Sequence, residues 1–349
     1  MPQWKLGQEP RFWAWEWPTL VAMDLSVRIE RWPLAAAFTI SRGSKTEAVV
    51  VVAELDDGAH RGRGECVPYG RYGETLDGIV AAIVAMRWPL RKGVDRTALQ
   101  AAMPPSAARN ALDCAHWDVD AKKNRQRAHR LAGLAAPTPR MTAYTISLAS
   151  PEVMAAAAQR AGKRPLLKVK LGAADGADGL RIAAVRRAAP AAELIVDANE
   201  GWTEHDLAQN LAACADCGVT LVEQPLPEGR DALLSRIKRP LPVCADESVH
   251  DRASLDRLAG RYDAVNIKLD KAGGLTEALA LAAEAERRGY QVMVGCMVAT
   301  SLAMAPAMLL AQRARFVDLD GPLLLACDRP EGLRYEGSLV FPPEPALWG

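Results

Sequence analysis

The 349 residues suffice for one large barrel and a smaller partner domain around a sizeable core. Lysine plus arginine number 43 against 42 aspartates and glutamates, a net charge of +1 without a long basic run, which argues against nucleic acid or an anionic membrane as partner. No apolar stretch reaches the roughly 20 residues of a membrane helix, and the start lacks the basic-then-apolar order of a secretory signal, so a cytoplasmic protein is expected.

Residues 1–23 are rich in tryptophan and show no clean period; they are expected to be an extension, with Met23 an alternative start. From Asp24 to about Glu65 the pattern is strand-like, and Asp56-Asp57-Gly58 marks a hairpin turn. Periodicity then becomes helical, with Ala108, Leu112, Ala115 and Val119 recurring every three or four residues. Strands followed by helices predict an α+β domain over 24–138, closed by Pro137 and Pro139. The seven cysteines lie scattered in apolar segments and suit reduced packing residues. Cys214 and Cys217 form a CxxC in a helical run without a second pair.

Beyond residue 139, short apolar strands alternate with alanine-rich helices. The residues that end successive runs are Lys170, Asp197, Glu223, Asp246, Lys268, Gly295 and Asp318, spaced by 27, 26, 23, 22, 27 and 23. A repeat of that size is a βα unit, and seven or eight make a parallel barrel. A doubly wound sheet would carry a glycine-rich phosphate turn after its first strand, and LGAADGADG lacks that spacing.

Active sites of such barrels sit at the carboxyl ends of the strands. Asp197, Glu223 and Asp246 arrive there from three consecutive strands, an oxygen-only set that favours Mg²⁺. Asn199 and Glu247, just beyond two of these carboxylates, are placed to orient them. Lysines in barrel strands are costly to bury, so Lys168, Lys170 and Lys268 either pair with the carboxylates or act chemically. Lys170 and Lys268 flank the three acidic strands, and two bases facing one carbon are what a 1,1-proton transfer requires. Desolvation, Lys168 and the metal are expected to lower Lys170 toward a neutral amine. Asp318 and Asp320, two apart in FVDLDGP, would stand on one strand face and call for a cation.

KVK, VDANEGW, VEQPL, CADES and NIKLDKAGGLTEAL resemble the successive barrel motifs of the enolase superfamily, in its muconate-lactonizing-enzyme-like branch. The likeness runs from about Arg31 to Leu325. It implies an α/β fold: a modified (β/α)8-type TIM barrel, (β/α)7β, over 139–325, an N-terminal α+β capping domain, and a segment 326–349 returning to the cap. It also implies Mg²⁺ on Asp197, Glu223 and Asp246, Lys170 and Lys268 as acid/base catalysts, and Lys168 as an electrostatic helper.

Within that branch VDLDGP resembles the Asp-x-Asp of dipeptide epimerases, whose carboxylates hold the free ammonium of a dipeptide. By the same likeness Arg42, in ISRGS, would pair with the side-chain carboxylate of a C-terminal glutamate, and Gly295 to Ser301, with Cys296, Met297 and Ser301, would line the pocket. The resemblance thus implies epimerisation of L-Ala-L-Glu and L-Ala-D-Glu, a cell-wall peptide fragment. The other activities of the branch, o-succinylbenzoate synthesis, muconate cycloisomerisation and N-acylamino acid racemisation, remain open, as does a non-catalytic barrel. The segment Tyr69 to Glu74 is placed to close over the site, and a homo-oligomer is compatible with the sequence.

Overall fold

Three antiparallel strands open the described chain, which a computed structural model covers from residue 23 to 349; the expectation for residues 1–22 lies outside the described residues. They are β1 (Asp24–Ile40), β2 (Gly43–Asp56) and β3 (Arg61–Cys66), in the order β1-β2-β3. The expected turn at Asp56 is held by side-chain caps: Gly58 N–H donates to Asp56 Oδ1 at 2.7 Å and Ala59 N–H to Asp57 Oδ1 at 3.0 Å. β2 alternates between two cores, as a period of two requires. Val50 and Val52 join the barrel-side cluster, while Val51, Ala53 and Leu55 pack with the helices of the cap.

The helix Ala107–Lys123 lies between these layers and is buried along nearly its whole length, including Ala108, Leu112, Ala115 and Val119. Ser106 caps its start by accepting from Arg109 N–H. β3 approaches this helix so closely that a Cβ on Gly64 would lie 2.0 Å from Ala111 O, which is why that strand carries glycine.

β4 (Arg140–Met141) precedes eight parallel strands: β5 (Tyr144–Ile146), β6 (Leu166–Lys170), β7 (Glu193–Asp197), β8 (Val219–Glu223), β9 (Val243–Ala245), β10 (Ala264–Ile267), β11 (Gln291–Gly295) and β12 (Phe316–Asp318). Helical segments connect each to the next, so the order is (β/α)7β, as expected. β5 joins the seven strands read from the sequence; three residues are too short for a period to show. Ala143 N–H donates to Val317 O at 2.8 Å and Leu319 N–H to Thr142 Oγ1 at 2.8 Å, which draws the two edges of the sheet together.

Ala143, Leu166, Ile195, Leu221, Cys244, Ala264, Met293 and Phe316 form an apolar layer inside the barrel. Two residues further along the same inward faces stand Lys168, Asp197, Glu223, Asp246, Asn266, Gly295 and Asp318. One period of the strand thus carries the chain from a packed floor to a polar mouth.

Past the barrel, β13 (Tyr335–Glu336) and β14 (Leu339–Val340) pair with β4. The C-terminus then reaches the cap helix, where Trp348 Nε1 donates to Cys114 O at 3.0 Å and Gly349 N–H to Asp118 Oδ1 at 2.8 Å. Among the described residues no helix is long and apolar enough to cross a membrane.

Candidate active site

Asp197 ends β7, Glu223 ends β8 and Asp246 follows β9, so neighbouring strands in register present three carboxylates to one point. One oxygen from each lies within 4.8 Å of the others, and all three residues are buried. Burial and the neighbouring Asp197 push Glu223 up to about 8, Lys168 acting against them. A divalent cation would relieve that repulsion, and a hard, oxygen-only, buried donor set suits one.

Four lysines surround the triad. Lys168 Nζ lies 3.1 Å from Asp197 Oδ2, 2.7 Å from Glu223 Oε2 and 2.8 Å from Asp318 Oδ2. Lys170 Nζ is 2.6 Å from Asp197 Oδ2, and Lys268 Nζ 2.6 Å from Asp246 Oδ2. Lys170 ends β6 and Lys268 follows β10, and β7, β8 and β9, which bring the three carboxylates, lie between them, so the two lysines flank the triad. Burial works to lower Lys268, but Asp246 and Glu223 outweigh it and hold the amine above its ordinary range. Burial works to raise Asp197, and Lys170 and Lys168 hold it below the usual carboxylate range. Lys271, three residues beyond Lys268, reaches Asp246 Oδ1 at 2.5 Å.

Residues 152–337 match the family described as enolase C-terminal domain-like, and residues 22–133 match the mandelate racemase/muconate lactonizing enzyme N-terminal domain. The chain belongs to the enolase superfamily. Within that superfamily it is 48% identical to the L-Ala-D/L-Glu epimerase of Escherichia coli over 309 residues, 88% of this chain and 95% of that protein. It is 43% identical to the N-acetyl-D-glutamate racemase of a Pseudoalteromonas species over 304 residues, 86% of this chain and 95% of that one. An Agrobacterium tumefaciens enolase family member with homology to dipeptide epimerases, solved with sodium and L-Ala-L-Glu, superposes with a TM-score of 0.92 at 54% identity, covering 94% of this chain and all of that one. The family and the fold expected from the motifs are both borne out.

Above the triad of this enolase-superfamily chain a cavity of about 350 Å³ opens between cap and barrel. Lys170, Asp246 and Lys268 form its floor; Asn199, Glu247, Cys296 and Met297 line it from the barrel. The cap contributes Arg42 and Lys45 from the β1–β2 hairpin, with Tyr69, Arg71 and Tyr72 from the segment expected to close the site.

Arg42 reaches the cavity already engaged. Its Nη1 donates to Asn199 O at 2.7 Å and Glu200 Oε2 at 3.2 Å, its Nη2 to Glu247 Oε1 at 2.7 Å and Tyr69 Oη at 2.9 Å. Asn199 and Glu200 adopt φ of +44° and +65°, a conformation these side chains rarely take, and thereby aim the loop after β7 at the cap. Asn199 N–H also donates to Asp197 Oδ1 at 2.9 Å. Burial and the charges of Asp246 and Asp197 push Glu247 up to about 7.

Two expectations are revised by position. Ser301 does not line the cavity: it begins the helix Ser301–Ala311, where its hydroxyl donates to Asp328 and accepts from Leu333 N–H at 2.8 Å. Asp318 and Asp320 do not share a strand face, because β12 ends at Asp318. Asp318 pairs with Lys168, and Asp320 Oδ2 accepts from Thr145 N–H at 2.7 Å. Asp318 Oδ1 is buried and has no hydrogen-bond partner among the described residues. Burial and then Asp318 push Asp320 up to about 7, and the Cys296 thiol feels both charges.

Lys45, Lys271 and Asn266 were not read from the sequence. Asn266 Nδ2 donates to Glu223 Oε1 at 2.7 Å, and a Cβ on Gly295 would stand 2.6 Å from its Oδ1, so the glycine makes room for it. The signal for Asn266 was its alternation with Lys268; for Lys271, its position one turn beyond.

Proposed function

We propose that the chain is a Mg²⁺-dependent dipeptide epimerase that inverts the α-carbon of the C-terminal residue of L-Ala-L-Glu and L-Ala-D-Glu. The observation that carries this reading is the pair Lys170 and Lys268, flanking one buried carboxylate triad whose Asp246 lies with them at the floor of one cavity. Asp197, Glu223 and Asp246 would hold the ion. When bound, Mg²⁺ supplies charge that anchors the substrate carboxylate and stabilises the enediolate.

The proton chemistry belongs to the lysines. The Nζ of one, as the free amine, takes the α-proton from its face; the Nζ of the other returns a proton to the opposite face, and the reverse reaction exchanges their roles. Lys168 keeps the charge of Asp197, Glu223 and Asp318 balanced beneath the site. The unpartnered Asp318 Oδ1 is the group that would meet the substrate ammonium, with Asp320 nearby. Residues 24–138 act as cap, 139–325 as catalytic barrel and 326–349 as the return to the cap. A reducing cytoplasm suits the seven free cysteines.

Proton NMR of L-Ala-L-Glu in D₂O with Mg²⁺ tests the proposal. Loss of the glutamyl α-proton signal with growth of the D-diastereomer is expected. Turnover of N-acetylglutamate without any dipeptide turnover would replace it with the racemase reading that the second relative suggests.

A further inference from the structure

Among the described residues the cavity contains one ammonium group without a partner. Lys45 stands opposite Phe38 in the register of β1 and β2, and Ile40 opposite Gly43, so the four residues present one hairpin face to the cavity that they line. Lys45 Nζ lies 5.7 Å from the Phe38 ring centroid, and Lys170 Nζ 5.9 Å from the same ring. Lys45 forms no salt bridge and no side-chain hydrogen bond among the described residues. Burial pushes it down to about 8; Cys296 opposes this, while Lys170 and Lys268 add to it.

Arg42 contrasts with it. Three hydrogen bonds from its two terminal nitrogens tie the hairpin tip to the loops after β7 and β9, a further one holds Tyr69 Oη within the cap, and Ser41 Oγ adds a fourth tie to the barrel at Asn199 O, 2.8 Å. To receive a substrate anion the guanidinium would have to give up part of its hold on Glu247, a buried carboxylate with no second cation in contact among the described residues. Lys45 would lose nothing, because a half-buried cation without a counter-ion gains from the first anion to reach it.

We propose that Lys45, rather than Arg42, receives the side-chain carboxylate of an acidic substrate residue, and that Arg42 is a positioning residue that latches the hairpin over the barrel. The inference rests on the epimerase reading and adds its specificity determinant. A glutaminyl side chain of the same shape would leave Lys45 unpaired, so acidic substrates are selected by charge.

The test compares kcat/KM for L-Ala-L-Glu and L-Ala-L-Gln in the Mg²⁺-loaded wild type, Lys45→Met, Lys45→Arg and Arg42→Met. Expected are a wild-type preference for glutamate, its reduction by about fivefold or more in K45M, mainly through KM, and its retention in K45R. R42M should slow both substrates alike and keep the ratio. Lys45→Gln, read beside K45M, with circular dichroism on both, separates lost charge from lost folding. A ratio that K45M and K45Q change by less than about fivefold, one that only R42M collapses, or a wild type without glutamate preference overturns the assignment while leaving the epimerase reading intact. A wild type that exchanges the α-proton of neither dipeptide overturns both.

Discussion

Arg42 Nη2 donates to Glu247 Oε1 at 2.7 Å, an ion pair that joins a cap hairpin to the residue after Asp246. Glu247 is buried, its Oε2 accepts no hydrogen bond among the described residues, and Arg42 is the cation in direct contact with it. Glu247→Gln should therefore loosen the cap without disturbing the barrel. Expected is a loss of about tenfold in kcat/KM, similar for acidic and neutral dipeptides, with the affinity for Mg²⁺ nearly unchanged. Steady-state kinetics beside a metal titration checks this.

Removing either flanking lysine should divide the reaction by face. Lys170→Ala and Lys268→Ala should each reduce epimerisation by about 10²-fold or more, the scale of a lost general base. Each variant should still exchange the α-proton of the diastereomer that faces its remaining lysine. Proton NMR in D₂O from pure L-Ala-L-Glu and pure L-Ala-D-Glu reads both effects. Equal loss of exchange from both isomers in both variants would speak against two opposed bases.

Chelation should cost stability as well as activity. Asp197, Glu223 and Asp246 are fully buried and repel one another, so an ion that binds the folded chain alone stabilises it by mass action, about 2.7 kcal/mol at a hundredfold excess over Kd. Thermal melts with EDTA and with graded Mg²⁺ should show Tm rising with the ion. Asp246→Asn should flatten that rise.

Asp318→Asn tests the proposed ammonium site. It removes the charge behind Asp318 Oδ1, which among the described residues is buried without a donor, together with a partner of Lys168. KM for L-Ala-L-Glu should rise by about tenfold, with Mg²⁺ affinity retained. Unchanged dipeptide kinetics would remove Asp318 from the binding site.

Away from the triad and the cavity, Asp270 contributes to the pH dependence of stability. Burial pushes Asp270 up to about 7, against hydrogen bonds from Asn110 Nδ2 and Val67 N–H. Between the unfolded value near 4 and about 7 the folded chain holds a proton that the unfolded chain has lost. This contribution is complete below about pH 4 and disappears as pH rises through 7. Asp270→Asn should make the fall of Tm between about pH 5 and 8 shallower at saturating Mg²⁺; an equal fall in both proteins would refute it.

The barrel and its triad were legible because period-two strands recur at nearly equal spacing, which carries Asp197, Glu223 and Asp246 to the same level of the wall. The lysine pair followed from the same register. Those are properties of local periodicity, and the amino-acid order alone determined them. Three other features depended on side chains from distant segments meeting. Lys168 reaches Asp318 across 150 positions and balances a charge that the strand pattern left open. Ser301 turns to Asp328 because its helix begins there. Arg42 is taken up by Glu247, 205 positions away, and that engagement leaves Lys45 as the open cation. Spacing along the chain sets which residues reach the mouth of the barrel, whereas charge pairing across it, decided only when cap and barrel pack together, sets which of them remain free for a substrate.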